Sequence, residues 1–337
     1  MKRAALSAAS LILAFGLLAL MPRLVGVSWA EIWQRLGSIE PWALAVLAVV
    51  WIAGLGAYTF VLTASLPGLS HGRAFMLNAA GSGVSNLLPF GGAAGVAATF
   101  AMATGWGFTL PAITVSTVVS GIWNVFARLL LPAVGILALL SIGRLPNRQL
   151  SAAAATAGIT LIAIALVIAV ALRWEPAAHR VDRLLQRAAE HLPRRAGDLL
   201  RSAGSSLLRV RTETLGVLSA GWQRLTLGMA GYMLLQGVLL FGCLWAAGDS
   251  LRVAETLAVF AINRVLTSAV VTPGGSGITE TGTAALLVHF GMDASAAATA
   301  VVLYSFFTHV IEIPLGGVVW AVWLNRRGRT PANLPEA

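Results

Sequence analysis

The chain has 337 residues, 23 Lys and Arg against 13 Asp and Glu, and a formal net charge of +10. Only 11% of its residues are charged and 58% are hydrophobic, whereas soluble domains carry about 25% charged residues; so few charges cannot coat a water-facing surface, which excludes both a soluble enzyme and a disordered chain. Cys243 is the single cysteine, so no intrachain disulfide framework exists, and the basic excess lies in loops between apolar runs, the pattern of a membrane protein rather than a nucleic-acid binder.

A helix crossing a hydrocarbon core of about 30 Å needs about 20 apolar residues. The first such run, 4–20, follows Lys2 and Arg3. A weak cleavage triplet, Ser28-Trp29-Ala30, lies well beyond it, so the run reads as an uncleaved first helix rather than a signal peptide. Trp29, Ile32, Trp33 and Leu36 then share one face of a short amphipathic helix, an interfacial anchor. Residues 41–65 form the second span. The apolar stretch 72–105 is interrupted by Asn86-Leu87-Leu88-Pro89-Phe90-Gly91-Gly92. Spans at 109–142 and 150–172 follow.

Residues 173–224 carry ten arginines against five acids, which marks a cytoplasmic loop. Within it Val181, Leu184, Leu185, Ala188 and Leu192 form an apolar stripe, suited to anionic lipid or to packing on the protein. Residues 225–248 form the next span. A second interrupted stretch, 253–290, contains Thr272-Pro273-Gly274-Gly275-Ser276-Gly277, and 294–324 is the last span. Placing the N-terminus, the arginine-rich loop and the Arg326-Arg327-Gly328-Arg329 tail all in the cytoplasm requires that neither interrupted stretch makes a net crossing. The expected fold is therefore an all-α integral membrane protein. It has about six spanning segments plus two re-entrant or paired short-helix elements, forming one transmembrane domain over 1–325 with a cytoplasmic tail at 326–337.

The layout repeats at an interval of 184 residues: Pro89 maps to Pro273, Gly91 to Gly275 and Gly107 to Gly291. Repeat one covers about 41–142 and repeat two about 225–325, and the loop charges give them opposite orientations. Inverted repeats with broken helices meeting near the midplane are a transporter architecture.

Irregular backbone survives at membrane depth only inside protein or beside a wet cavity. Asn86, Pro89, Gly91 and Gly92 at one break, and Pro273, Gly274, Gly275 and Gly277 at the other, are thus candidate site residues. Proline removes a donor and glycine admits unusual conformations. A helix starting after each break aims free amides at its tip, which suits an anion. Neither break is a nucleotide loop, since the Lys-Ser/Thr ending is missing.

Ionisable residues inside spans are costly and point to sites. Arg128 and Glu312 are separated by the repeat interval, so they are candidates to approach and neutralise one another; the alternatives are that each finds another partner or that Arg128 snorkels to the interface. Arg264 and Glu280 flank the second break. Arg264 is suited to a lipid phosphate, and Glu280 to a gate, a proton site or a counter-ion. Asn78, Asn86 and Asn263 read as caps or interhelical hydrogen bonds. His309 and Glu312 share a helix face, but with only His289 besides they are too few for a metal. His71 reads as interfacial. No nucleophile, carboxylate pair or cofactor motif can be assigned.

The strings NLLPFGGAAG (86–95), SGIWNVFARLLLP (120–132) and PGGSGITE (273–280) resemble the flippase-like family built on the transmembrane region of lysylphosphatidylglycerol synthase, also called multiple peptide resistance factor. The resemblance covers about residues 5–325. It implies a polytopic protein of the bacterial inner membrane that moves lipids or lipid-linked molecules between leaflets. The synthase's aminoacyl-transfer domain has no counterpart here, so lysyl transfer is not carried over and no enzyme activity is expected. The first break also lacks an acid where Glu280 stands in the second. The expected function is translocation of an anionic phospholipid or polyprenyl-phosphate-linked substrate, with membrane lipids as partners and no nucleic acid. The alternatives are a proton-coupled small-solute transporter and an accessory protein of an envelope glycosyltransferase complex.

Overall fold

The computed structural model describes residues 2–88, 91–143, scattered positions from 152 to 163, 194–267, 272 and 275–327. The expected span at 150–172 falls mostly outside the described residues. So do the apolar stripe at 181–192, the tail beyond Arg327, and Pro89, Pro273 and Gly274. Every regular element among the described residues is helical.

Helix α1 (Lys2–Leu24) turns sharply into α2 (Trp29–Gly37), the two axes bent by 84°. Ser28 caps α2 by accepting from the Glu31 amide at 3.3 Å. The anticipated apolar face of α2 is divided: Ile32 is fully buried while Trp33 is 64% exposed. Arg35 pins α2 down, donating to the Ala247 carbonyl and pairing with Asp293, both at 2.9 Å.

Helix α3 (Pro41–Ser65) begins with proline in its first turn, where the missing N–H costs nothing. Helix α4 (His71–Leu87) is capped by Ser70, and the backbone leaves it in an extended conformation at Leu88. Helix α5 (Gly91–Gly105) runs back along α4, with Gly81 opposite Gly95 and Ser85 opposite Gly91. The interrupted stretch 72–105 is therefore a hairpin of two short helices. Helix α6 (Leu110–Ser141) is capped by Thr109 and contains Pro132.

Helix α7 (Arg194–Ala246) is a single rod of 53 residues, of which only Gly221–Ala246 is long and apolar enough to span. The later part of the arginine-rich segment, expected as a loop, is thus helical and continuous with the following span. Arginine, leucine and alanine are strong helix formers, and nothing between 194 and 224 breaks the helix. Helix α8 (Val253–Leu266) and α9 (Ile278–His289) make a second hairpin, joined where Asn263 donates to Thr283 at 3.0 Å. Helix α10 (Ala294–Ser305), capped by Asp293, passes through a π-helical turn (Phe306–Val310) into α11 (Glu312–Arg327).

Four helical stretches are long and apolar enough to cross a membrane, or five with the bent α1–α2 pair. Helix α3 packs along α7 at the centre. The two hairpins dock reciprocally: α4 packs on α11, and α8 packs on α6. Both seams depend on small residues. A Cβ on Gly83 would come within 2.8 Å of the Glu312 carbonyl oxygen and 3.0 Å of Gly316 Cα. A Cβ on Gly135 would lie 3.1 Å from Ala258 Cα. Close backbone approach of this kind is how helices associate where no hydrophobic effect separates them from lipid.

Candidate functional site

A cavity of about 640 Å³ lies where the two hairpins and the π-helical turn face one another. The first hairpin contributes Ser82, Ser85, Asn86, Gly91 and Gly92, and α6 contributes Arg128. Helix α7 adds Tyr232 and Gln236; the second hairpin adds Asn263, Arg264, Thr267, Thr272 and Gly275; and Tyr304, Thr308, His309 and Glu312 close it. Of the residues expected from sequence, Asn86, Gly91, Gly92, Arg128, Arg264, Gly275 and Glu312 line one cavity. Gly277 and Glu280 do not.

Glu312 stands at the first residue of α11, just after the π-helical turn, and is 6% exposed. Asn86 donates to it at 3.1 Å and also to the Thr308 carbonyl at 3.3 Å. Ser82 and Trp51 approach the same carboxylate. A π-helical turn widens the helix by one residue and often marks a functional site. Here it delivers Thr308, His309 and Glu312 to the cavity together.

Arg264 projects from the last turn of α8. It donates to the Tyr304 hydroxyl at 2.9 Å, and its guanidinium lies 5.3 Å from the Phe260 ring centroid. Tyr304 donates to Gln236 at 3.4 Å, and Gln236 donates to Tyr232 at 3.2 Å. The Tyr232 ring meets that of Tyr58 at 5.1 Å, tilted by 60°, and the Tyr58 hydroxyl accepts from Asn124 at 2.9 Å. This polar chain runs from the second hairpin through α10, α7 and α3 to α6.

The charge balance is asymmetric. Arg264 lies close enough to Glu312 for attraction and close enough to Arg128 for mutual repulsion. Among the described residues that line the cavity, two cations, Arg128 and Arg264, stand with one carboxylate, Glu312. Arg128 is moreover exposed, despite its place deep within α6.

Glu280 has another setting. It lies behind the cavity wall, 3% exposed, and caps its own helix by accepting from the Gly277 amide at 2.5 Å. Ser305 donates to its other oxygen at 2.5 Å. Gly277 has φ +86 and sits against α1, where a Cβ would meet Leu17 and Ala14 within 3 Å. Arg264 and Glu280 thus both reach α10, at the neighbouring residues Tyr304 and Ser305, but only Arg264 lines the cavity.

A second cavity of about 210 Å³ shares Ser82, Ser85 and Gly92 with the first and extends toward Leu66 and Leu69 at the α3–α4 turn. It carries no charged side chain. Its polar groups are Tyr58, Asn78 and the hydroxyls of Thr99, Ser116, Thr117 and Ser120, besides the shared serines. His71, read as interfacial, meets Thr59 at 2.8 Å near that turn. Among the described residues no three His, Cys, Asp or Glu side chains cluster closely enough to hold a metal.

Sequence reasoning missed the tyrosines. The chain has only three, Tyr58, Tyr232 and Tyr304, and all join the one polar chain. Their positions inside apolar spans, rather than at span ends where tyrosine gathers, were the available signal. Gln236 carried the same signal as an uncharged polar residue in an apolar run.

The chain matches the family model for the lysylphosphatidylglycerol synthase TM region over residues 7–316, and it belongs to that family. It is therefore a multi-pass membrane protein related to lipid handling. No curated protein matches the chain.

Proposed function

We propose that this protein translocates an anionic phospholipid or a polyprenyl-phosphate-linked molecule between leaflets. The observation that carries this reading is the central cavity, where two guanidinium groups, Arg264 and Arg128, stand with one carboxylate, Glu312, among the described lining residues. A guanidinium binds phosphate oxygens bidentately and keeps its charge at any physiological pH. In this reading the headgroup sits between Arg264 and Arg128. The Tyr304–Gln236–Tyr232 chain holds Arg264 in place, and Asn86 holds Glu312 away from the incoming phosphate.

The reciprocal docking of α4 on α11 and α8 on α6 supports an inverted repeat, with α3 and α7 as its paired central helices. The two hairpins then enter from opposite faces. The neutral cavity that opens beside Ser82 and Ser85 supplies a polar half-path on the side of the α3–α4 turn. By loop charge this side is cytoplasmic, as are both termini, in the inner membrane of a bacterium.

The test is a leaflet-resolved assay in proteoliposomes, using fluorescent phosphatidylglycerol, phosphatidylcholine and a polyprenyl phosphate. Faster translocation of the anionic lipids than in empty vesicles, with little effect on phosphatidylcholine, is the expected result. Rates equal to empty vesicles for every anionic lipid would remove the proposal.

A further inference from the structure

The faces of α6, α7 and α8 beside Arg128, Tyr232 and Arg264, together with Ile162, form a mostly apolar groove. Its two parts hold about 470 Å³ and about 400 Å³, and they join at Leu131, Ala230 and Met233. Apart from Thr226 and Thr256 its lining is apolar, walled by Phe260 and Phe241 at one end and by Trp123 and Phe126 at the other.

Three observations tie this groove to the charged cavity. Phe260 lines the groove, and Arg264 stacks on its ring at 5.3 Å while lining the cavity. On α6 the groove residue Ala127 directly precedes Arg128, which lines the cavity and is exposed in the middle of a spanning helix. On α7 the groove residue Met233 directly follows the cavity residue Tyr232. Arginines at membrane depth beside an apolar groove match a molecule that is anionic at one end and apolar at the other.

The groove's length narrows the choice further. Along α7 it runs from Thr226 to Phe241, about 22 Å at 1.5 Å per residue. A single leaflet is about half of the 30 Å hydrocarbon core. The groove therefore continues past the midplane, so it is open to a hydrocarbon chain from either leaflet.

Resting on the function proposed above, we infer that the α6–α7–α8 groove holds the hydrocarbon tail of the same lipid whose anionic group binds between Arg264 and Arg128. The site is bipartite: the cavity selects the charge, and the groove guides the tail across the midplane. Ordinary boundary lipid would fill the groove without regard to headgroup. A transported anionic lipid would fill it only while its headgroup is held.

The experiment compares two photoreactive probes with the same tail-borne diazirine, a phosphatidylglycerol and a phosphatidylcholine, on the full chain in proteoliposomes. The expected result is about tenfold more labelling of α6, α7 and α8 peptides by the anionic probe, the size of one charge-assisted contact. Arg264→Ala should abolish that excess. In case Arg264→Ala fails to fold, Ala230→Phe serves as the second variant, because Ala230 is exposed and the new ring fills the junction of the two groove halves without entering the core. It should remove the excess labelling and slow the anionic lipid. Equal labelling by both probes would overturn the inference, because the groove would then hold boundary lipid. Failure of Ala230→Phe to change the excess would also overturn it, as would cross-links showing that residues 144–193 of this chain cover the groove. Translocation with charge-indifferent labelling defeats the groove alone. Charge-selective labelling without translocation upholds the groove and defeats the function on which it rests.

Discussion

Hairpin α4–α5 closes on itself through Gly81 and Gly95, whereas hairpin α8–α9 closes through a hydrogen bond between Asn263 and Thr283. The first brings no charged group to the cavity; it supplies Ser82, Ser85, Asn86 and the glycines that follow the break. The second brings Arg264 to the cavity and buries Glu280 behind it. The same backbone device is thus used once as a close-packed, neutral wall and once as a charged, capped arm. The comparison teaches that the break itself supplies room for irregular backbone, while the side chains around it decide whether the tip binds charge.

The largest effect is expected where the hairpins dock. Gly83→Leu would drive a side chain into the backbone of α11 at Glu312 and Gly316, and Gly135→Leu would meet the Ala258 and Ala261 positions of α8. Overpacking costs about 1–3 kcal/mol where neighbours can shift, and backbone on the facing helix shifts least. Gly83→Leu should therefore leave little monodisperse protein in size-exclusion chromatography, and Gly135→Leu should lower the melting temperature by a smaller amount. A Gly83→Leu protein as stable as the wild type would mean that the first hairpin is not held by close backbone contact.

A middle effect separates the two walls of the cavity. Arg264→Ala removes a guanidinium that faces the cavity and is bonded to Tyr304. A hydrogen bond to a charged group contributes about 1.5–3 kcal/mol, so anionic-lipid translocation should fall by roughly ten- to a hundredfold. Asn86→Ala removes only the neutral donor to Glu312 and Thr308. It should slow translocation by about tenfold or less, because Ser82 and Trp51 still approach the Glu312 carboxylate. Both rates come from the same leaflet-resolved assay. Equal losses would erase the distinction between a charged and a neutral wall.

Much of this arrangement was legible in the chain, for particular reasons. The hairpins followed from Pro89-Phe90-Gly91-Gly92 and Pro273-Gly274-Gly275 interrupting otherwise apolar runs, because such a run cannot be continued as a helix without cost. Arg128, Arg264 and Glu312 declared themselves because a charge inside a span needs a polar setting. Other features were not legible. The π-helical turn at Phe306–Val310 has no proline, glycine or charge pattern to announce it, yet it sets the angle at which Glu312 enters the cavity. The partner of Glu312 could not be read either: the repeat interval pointed to Arg128, while the carboxylate accepts from Asn86, a residue of the first hairpin brought in by the α4–α11 seam. The rod-like α7 was hidden by its own charge, since a run of arginines reads equally well as loop and as helix until its helix propensity is weighed.

The smallest expected effect lies in the one acid that separates the hairpins. Glu280 accepts two hydrogen bonds at once, from the first amide before α9 and from Ser305 on α10, whereas at the matching start of α5 Ser85 donates to the Gly91 carbonyl and no acid is present. Glu280→Gln preserves the shape but leaves one amide oxygen where two carboxylate oxygens accepted, so one of the two donors loses its partner. The cost should be about 1–3 kcal/mol, read as a fall of a few degrees in melting temperature and faster amide exchange at the start of α9, toward the rate at the start of α5. Because Glu280 does not line the cavity, selectivity for phosphatidylglycerol over phosphatidylcholine should stay as in the wild type. A Glu280→Gln protein with unchanged melting temperature and lost selectivity would put that carboxylate in the path of the headgroup. The second hairpin would then differ from the first by two working charges rather than one.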